Sequence, residues 1–430
     1  MMLKNAVHPV RMGGTNRGSH FSGRMISYLL LIICTILMGS TLYGQGEVEC
    51  LVYMCVIAAI ELTTILSAVA HHSLKAKHII KWLRFLVFVF AIYIIISLVT
   101  GHFGSNGLRG FLLILCISPL YFLVLAREGT LKQLAKIAVF TISVLAAASL
   151  LLWIIGPIMG WIPFNCIAEN RWNPGNELAG YFQGYFGLLY QTQWQQIGSV
   201  SIVRNTGIFT EGPMYVYVLV ITLAINEFYL PGEYRLFTLL LVATLISTLS
   251  VTGIVGIVLV LFLKAITSEI LGLSKITKIR VTSVLALAAL CGLGLLVYEK
   301  LRTPSGSIHF DDYLACAQAW LSDPLFGIGF SNDLGLAGYM SEFRLDNTGY
   351  SNTLPYVLAT GGLAYFSIWT VALFGYFSTR EGKHICFGLV SVFLLVTTAA
   401  TTLFSTALML AFGVYLYFKD DSTSSEKTIK

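Results

Sequence analysis

The chain has 430 residues, of which 56% are hydrophobic and only 11% charged, and its mean hydropathy is +0.79. A soluble domain averages about 25% charged residues, so the composition excludes a soluble fold and marks an integral membrane protein. The formal charge of +6 gives no hint of nucleic acid, because it follows from a basic bias in the connections between apolar runs.

Apolar stretches long enough to span a bilayer, roughly 17–25 residues each, recur from end to end. Lipid offers no hydrogen-bond partners, so these runs must be helices or closed barrels. Their length and continuity exclude a barrel, which would show short alternating strands. The expected fold is an all-α polytopic membrane protein of about 12 transmembrane helices.

In chain order, a cytoplasmic tail (1–24) carrying Lys4, Arg11, Arg17 and Arg24 precedes a first span at 25–43. No small-residue cleavage site stands out, so that span reads as an uncleaved helix. Runs at 50–70, 83–100, 108–126 and 134–156 complete a five-helix membrane segment, 25–156. A first long polar segment, 157–211, leads to spans at 212–230, 235–251, 253–268 and 281–298, which are helices six to nine (212–298). A second, 299–352, leads to 353–377, 385–400 and 402–418 (helices ten to twelve, 353–418) and to a tail at 419–430. The tight pairs at 235–268 and 385–418 also read as single kinked helices. No internal repeat suggests a duplicated transporter.

With the N-terminus inside, the cytoplasmic segments collect 21 of the 27 Lys and Arg residues, leaving Arg109, Arg171, Arg204, Lys300, Arg302 and Arg344 outside. This agrees with the positive-inside rule. It makes both termini cytoplasmic and both long segments extracytoplasmic.

Loops as long as these usually have a function or a structure of their own. The first contains "RWNPGNELAGYFQGYFGLLYQTQW", 171–194, whose aromatics recur at spacings of three to five. That spacing predicts an aromatic-rich, half-embedded helix. Its rings would either sit at headgroup level or meet sugar rings, with Trp172 the foremost sugar contact.

Next comes "RNTGIFTEGP", 204–213. Arg204 is a planar fork suited to phosphate oxygens, and Glu211 lies at the edge of a helix opened by Pro213. A surface ion pair or a simple helix cap is the plainer reading of the same two residues.

The second segment contains "FDDYLACAQAWLSDPLFGIGFSN", 310–332: an amphipathic helix from about 310 to 321, then a glycine-bearing turn. "TGYSNTLPYVLATGGL", 348–363, follows, with Asn352 at the expected membrane surface. Cys166 and Cys316 stand one in each segment, either as a disulfide or as two unpaired small residues. Within the apolar runs Glu61 and Glu227 are conspicuous acids. An intramembrane acid is a functional candidate unless it is protonated or bonded to a neighbouring helix.

Taken in order, these pieces resemble a known family. They are R-x-x-G-x-F-x-E before a span, a Ser/Thr-Gly turn ("LSVTGIVG", 249–256), "DPLFGIGF" in a long loop, and an Asn-bearing "N-x-L…GGL". Over roughly 200–377 the chain is similar to the O-antigen polymerase and ligase family, which includes capsular and exopolysaccharide polymerases. Two departures stand out: Gly212 separates the glutamate from the proline, and Ser351 stands where the ligase branch has a histidine.

The resemblance implies an inverting glycosyltransferase of the bacterial cytoplasmic membrane that needs no metal and no cofactor. It would polymerise undecaprenyl-diphosphate-linked oligosaccharide repeat units on the outer face. A chain-length regulator, a flippase and membrane lipid would be its partners, and nucleic acid would not. Arg204, Arg171, Arg344 and Arg302 are the candidates to meet the diphosphate. Glu211, with Asp312 behind it, is the candidate base, and Trp172 and Asn352 would contact sugar. A ligase that transfers finished glycan to a lipid or protein acceptor, and a polysaccharide transporter, are the alternatives.

Overall fold

The computed structural model describes residues 17–71, 74–169, 180–197, 199–267, 304–344 and 349–419. These fold mostly as helices: α1 Arg17–Leu37, α2 Glu47–Ala70, α3 Ala76–Thr100, α4 Asn106–Arg127, α5 Leu131–Trp153, α6 Gly212–Tyr229, α7 Arg235–Ser247 and α8 Val251–Thr267. After the second long segment begins come α9 Pro304–Ser322, α10 Asp333–Ala337, α11 Thr353–Ser378, α12 Gly382–Thr397 and α13 Phe404–Lys419. Among the described residues, six helices are long and apolar enough to cross a membrane: α2, α3, α4, α5 with its π-helical extension to Ile158, α6 and α11. The run at 281–298 lies outside the described residues.

Both tight pairs are separate helices. Between α7 and α8, Leu249 takes a left-handed conformation (φ 50°), which no helix interior accommodates. Residues 398–403 part α12 from α13.

Burial orders the bundle. The most apolar stretches of α4 and α6 are 89% and 78% buried, whereas those of α2 and α3 are 17% and 22% buried. The first two helices form the core, and the second two turn apolar faces such as Leu62, Leu66, Val87 and Leu98 outward. Small residues allow the closest helix contact: a Cβ on Gly375 of α11 would collide with the backbone of Gly413 in α13, so these two helices pack backbone against backbone.

The described parts of both long segments sit at one end of this bundle. Leu42 donates to Ile208 O (3.0 Å) and Thr210 to Ser40 O (3.0 Å) just past α1. Trp153 Nε1 at the end of α5 donates to Val203 O (2.8 Å). From the second segment, Tyr313 reaches Val396 O at the end of α12 (2.5 Å), and Tyr350 shares a hydrogen bond with Thr401 just before α13 (2.5 Å). Charged pairs gather at the other end: Arg24–Glu128 (2.8 Å), Lys136–Glu233 (2.8 Å) and Lys383–Glu381 (2.7 Å).

The expected aromatic helix is not there. The described part of 171–194 is extended: β2 Tyr181–Tyr185 pairs antiparallel with β1 Cys166–Glu169 and with β3 Leu189–Tyr190, and β4 Trp194–Ile197 pairs with β5 Val200–Val203. Phe186 and Gly187 both adopt positive φ (52° and 71°) within the three-residue connection from Tyr185 to its partner Leu189, where Leu188 N donates to Tyr185 O (3.0 Å). Gly184 faces Tyr190 in the ladder, its missing Cβ leaving room for the tyrosine ring 2.5 Å from where that Cβ would stand. Aromatics three and four apart satisfied a helical spacing, but two glycines among them are poor helix residues and favour the turn. Cys166 and Cys316 are both free thiols.

The motifs "DPLFGIGF" and "ATGGL" form one unit. Helix α11 breaks at Gly362 (φ 57°, ψ −161°), and the turn 324–329 lies along the break. Leu363 and Ala364 donate to the carbonyls of Pro324 and Leu325 (2.9 and 3.0 Å), while Ile328 and Gly329 donate to those of Ala359 and Thr360 (2.9 and 3.1 Å). A side chain on Gly362 would strike the Leu325 carbonyl, and one on Gly327 would lie 2.5 Å from Ala359 O.

Gly362→Ala therefore combines a left-handed backbone with overpacking, which typically costs about 1–3 kcal/mol. Detergent-solubilised Gly362→Ala should melt several degrees below the parent, whereas Gly129→Ala, with open space around it, should lose less. Equal melting would mean that the break is not constrained in this way.

Candidate functional site

Arg204 follows β5, and its backbone N–H donates to Gln193 O (3.0 Å). Its Nε donates to Thr248 O (2.8 Å) in the turn between α7 and α8. Thr248 ends a helix, and terminal carbonyls there lack helical partners; the guanidinium satisfies one. The same guanidinium lies over Gly212, where a Cβ would sit 2.6 Å from Nη2 and 2.9 Å from Cζ. This is the physical reason for a glycine between Glu211 and Pro213: any larger residue would displace the arginine. The terminal nitrogens Nη1 and Nη2 have no hydrogen-bond partner among the described residues.

Glu211 occupies the cap position of α6 with extended backbone (φ −143°, ψ 148°), yet its side chain caps nothing. The cap is Gln193, whose Oε1 accepts from Gly212 N (3.0 Å). Nor do Glu211 and Arg204 close an ion pair; the two interact through space. Burial pushes the Glu211 carboxyl up to about 7, with Arg204 pulling in the other direction. Burial also lowers the Arg204 guanidinium, opposed by Glu211. Both plainer readings of the pair, a cap and a surface ion pair, are thus taken up by other groups or not formed.

The residues between them are clamped. Asn205 is fully buried, donating to Ser247 Oγ (2.9 Å) and accepting from Gly207 N (3.2 Å). Phe209 stacks on Tyr215 at 5.1 Å, and Gly207 adopts φ 54° against the same tyrosine. Arg204 and Glu211 are held by rigid neighbours on both sides.

The second segment builds a different cluster. Arg344 Nη1 donates to Asp312 Oδ1 (2.5 Å) and to Asp311 Oδ2 (3.2 Å), and its Nη2 donates to Gly349 O (2.5 Å). Ser351 Oγ donates to the other Asp312 oxygen, and Ser341 binds Asp311 through its N–H (3.2 Å) and hydroxyl. Arg344 and Asp312 are 4% and 0% exposed. Burial raises the Asp312 pKa, with Ser351 and Arg344 drawing it back.

Next to Ser351, Asn352 is fully buried and neither Oδ1 nor Nδ2 has a hydrogen-bond partner among the described residues. Buried amides are nearly always bonded, so this one stands ready for a ligand or a water. Close by in sequence, Tyr350 and Tyr356 stack at 3.7 Å along a cavity of about 160 Å³ that Ser331, Asp333 and Thr401 also line. Tyr356 donates to Asp333 Oδ1 (2.7 Å), and Ser331 holds a left-handed backbone (φ 52°).

Of the expected site residues, Arg204 and Glu211 come together, as do Arg344, Asp312 and, at the adjoining helix start, Asn352. Arg171, Trp172 and Arg302 lie outside the described residues. The two clusters share an end of the bundle but no hydrogen bond among the described residues. Glu61 accepts from Ser118 of α4 (2.7 Å), and Glu227 pairs with Lys264 and Thr238 at the opposite end, so both intramembrane acids bridge helices. Sequence reading missed Gln193 and Thr248, which meet the motif from 11 residues before Arg204 and 44 after it.

In comparisons with known proteins, no family model, no curated protein and no solved structure matches the chain.

The raised Glu211 pKa has a direct consequence for stability. A carboxyl whose folded value lies above its ordinary 4.5, here about 7, favours the fold at low pH and loses that contribution as pH rises through the folded value. The melting temperature of the parent, relative to Glu211→Gln, should fall between pH 4.5 and about 7 and then level off. A constant difference would place the carboxyl in water. Asp312→Asn removes the shorter of the two ion pairs to Arg344 but leaves Asp311 opposite the guanidinium, so it should destabilise by about 1–3 kcal/mol, seen as a drop in melting temperature.

Proposed function

We propose that the chain is a bacterial cytoplasmic-membrane glycosyltransferase that polymerises undecaprenyl-diphosphate-linked repeat units at the end of the bundle bearing both long segments. In this reading that end is extracytoplasmic, about 12 helices span the bilayer and both termini are cytoplasmic. The observation that carries it is the Arg204–Glu211 arrangement: a guanidinium with open terminal nitrogens beside a desolvated carboxyl that is neither a cap nor a paired ion. The resemblance in motif order, and the basic bias at the opposite end, support the same reading.

The chemistry follows from these two groups. Glu211 takes the proton of an acceptor sugar hydroxyl as that oxygen attacks the anomeric carbon of the donor. The bond from that carbon to the diphosphate oxygen breaks, and undecaprenyl diphosphate leaves with the electron pair. Arg204 meets the charge that develops on the leaving group, where a fixed donor is most effective. A carboxyl titrating near the working pH is well matched to general-base duty. Asp312 and Arg344, tied together and to Asp311, serve in this reading as the strut of the second segment rather than as base and diphosphate ligand. Asn352 remains the candidate sugar contact.

In vitro polymer yield from purified lipid-linked repeat units tests the roles. Glu211→Gln should lower the rate about 10²–10⁴-fold while substrate still binds. Arg204→Lys should lose most activity, because a point charge cannot reproduce the planar fork. Near-normal yield from Glu211→Gln would remove the base assignment. In cells, deletion should leave single repeat units; long unattached chains would instead indicate the ligase.

A further inference from the structure

Between α2, α3 and α4 runs a groove of about 550 Å³, within the range of roughly 300–1,000 Å³ typical of ligand sites. Helices α2 and α3 both pack on α4, and the groove lies between them. Its walls are apolar, with Leu51 and Met54 from α2, Phe90 from α3 and Leu113 from α4. On α2 it extends from Glu47 to Met54, about 10 Å at 1.5 Å per residue.

Its polar lining is confined to one end. Glu47 opens α2, Asn106 opens α4, and Arg109 stands one turn further along α4. All three are exposed, and none of their side chains makes a hydrogen bond or ion pair with a described residue. The groove thus presents an apolar trough with an unpaired anion, an unpaired cation and an amide at its head. A purely anionic headgroup would meet repulsion from Glu47, and a water-soluble ligand would leave the trough unfilled. A molecule with one apolar chain, a phosphate and a primary ammonium satisfies every group.

We infer that this groove binds an amine-bearing glycerophospholipid, phosphatidylethanolamine. One acyl chain lies along Leu51, Met54, Phe90 and Leu113, the phosphate meets Arg109 and Asn106, and the ammonium meets Glu47. The site stands apart from the Arg204–Glu211 pair and does not depend on the proposed polymerase activity.

Native mass spectrometry of the full chain in mild detergent tests it, with phosphatidylethanolamine, phosphatidylcholine, phosphatidylglycerol and undecaprenyl phosphate added in turn. The parent should retain phosphatidylethanolamine in preference to the other three. Glu47→Gln should lower that retention about two- to fivefold, the scale of an exposed ion pair, and remove the preference over phosphatidylglycerol. Arg109→Gln should weaken both lipids. These residues are exposed, so unchanged melting curves will separate lost binding from lost folding. Equal retention of all lipids, a preference for undecaprenyl phosphate, or variants that bind like the parent would each overturn the assignment.

Discussion

A helix that stops inside an apolar bundle leaves amides and carbonyls that only the protein can satisfy, and the most informative residues of this chain answer that demand. At Gly362 the break in α11 is bridged on both sides by the run 324–329, four backbone hydrogen bonds in all. At Leu249 the break between α7 and α8 presents the Thr248 carbonyl, and Arg204 takes it. The candidate arginine is therefore anchored by a helix end. The turn after α7 is part of the site, although none of its side chains is charged.

That dependence separates what could be read in the sequence from what could not. Membrane helices are legible because a bilayer demands about 20 apolar residues in a row, and α2 to α6 and α11 lie where such runs occur. Glycines were legible as turns but not as contacts. Gly212 matters because a guanidinium covers it, and Gly327 because the α11 backbone does; both partners are remote in the chain. Gln193 was invisible as a cap, since the usual cap position belongs to Glu211. The hairpin at Tyr181–Tyr190 was misread because tyrosine and phenylalanine suit a half-buried strand as well as an interfacial helix, and only Gly184 and Gly187 distinguish the two.

The acids at this end of the bundle show how environment divides similar groups. Asp312 is surrounded by donors, Arg344 and Ser351, that repay much of its desolvation. Glu211 has no such donors among the described residues, and the Nε of Arg204 is committed to Thr248. A group left this way destabilises the fold in the charged form that a base requires. In the proposed reading, stability and reactivity pull in opposite directions at Glu211, a tension characteristic of functional sites and absent from the Asp312 strut.

The charges at the opposite end follow another logic. Arg24–Glu128 is 55% and 27% exposed, and Lys383–Glu381 is 45% and 48% exposed. Pairs this open contribute about 0–1 kcal/mol each, so their clustering is poorly explained by stability. Orientation explains it better: positive charge retained on one side decides which way a helical bundle is threaded. In the proposed reading, the basic end keeps the Arg204–Glu211 pair on the outer face. The energetically weak charges then govern where the chemistry happens, and the few buried ones govern what it is.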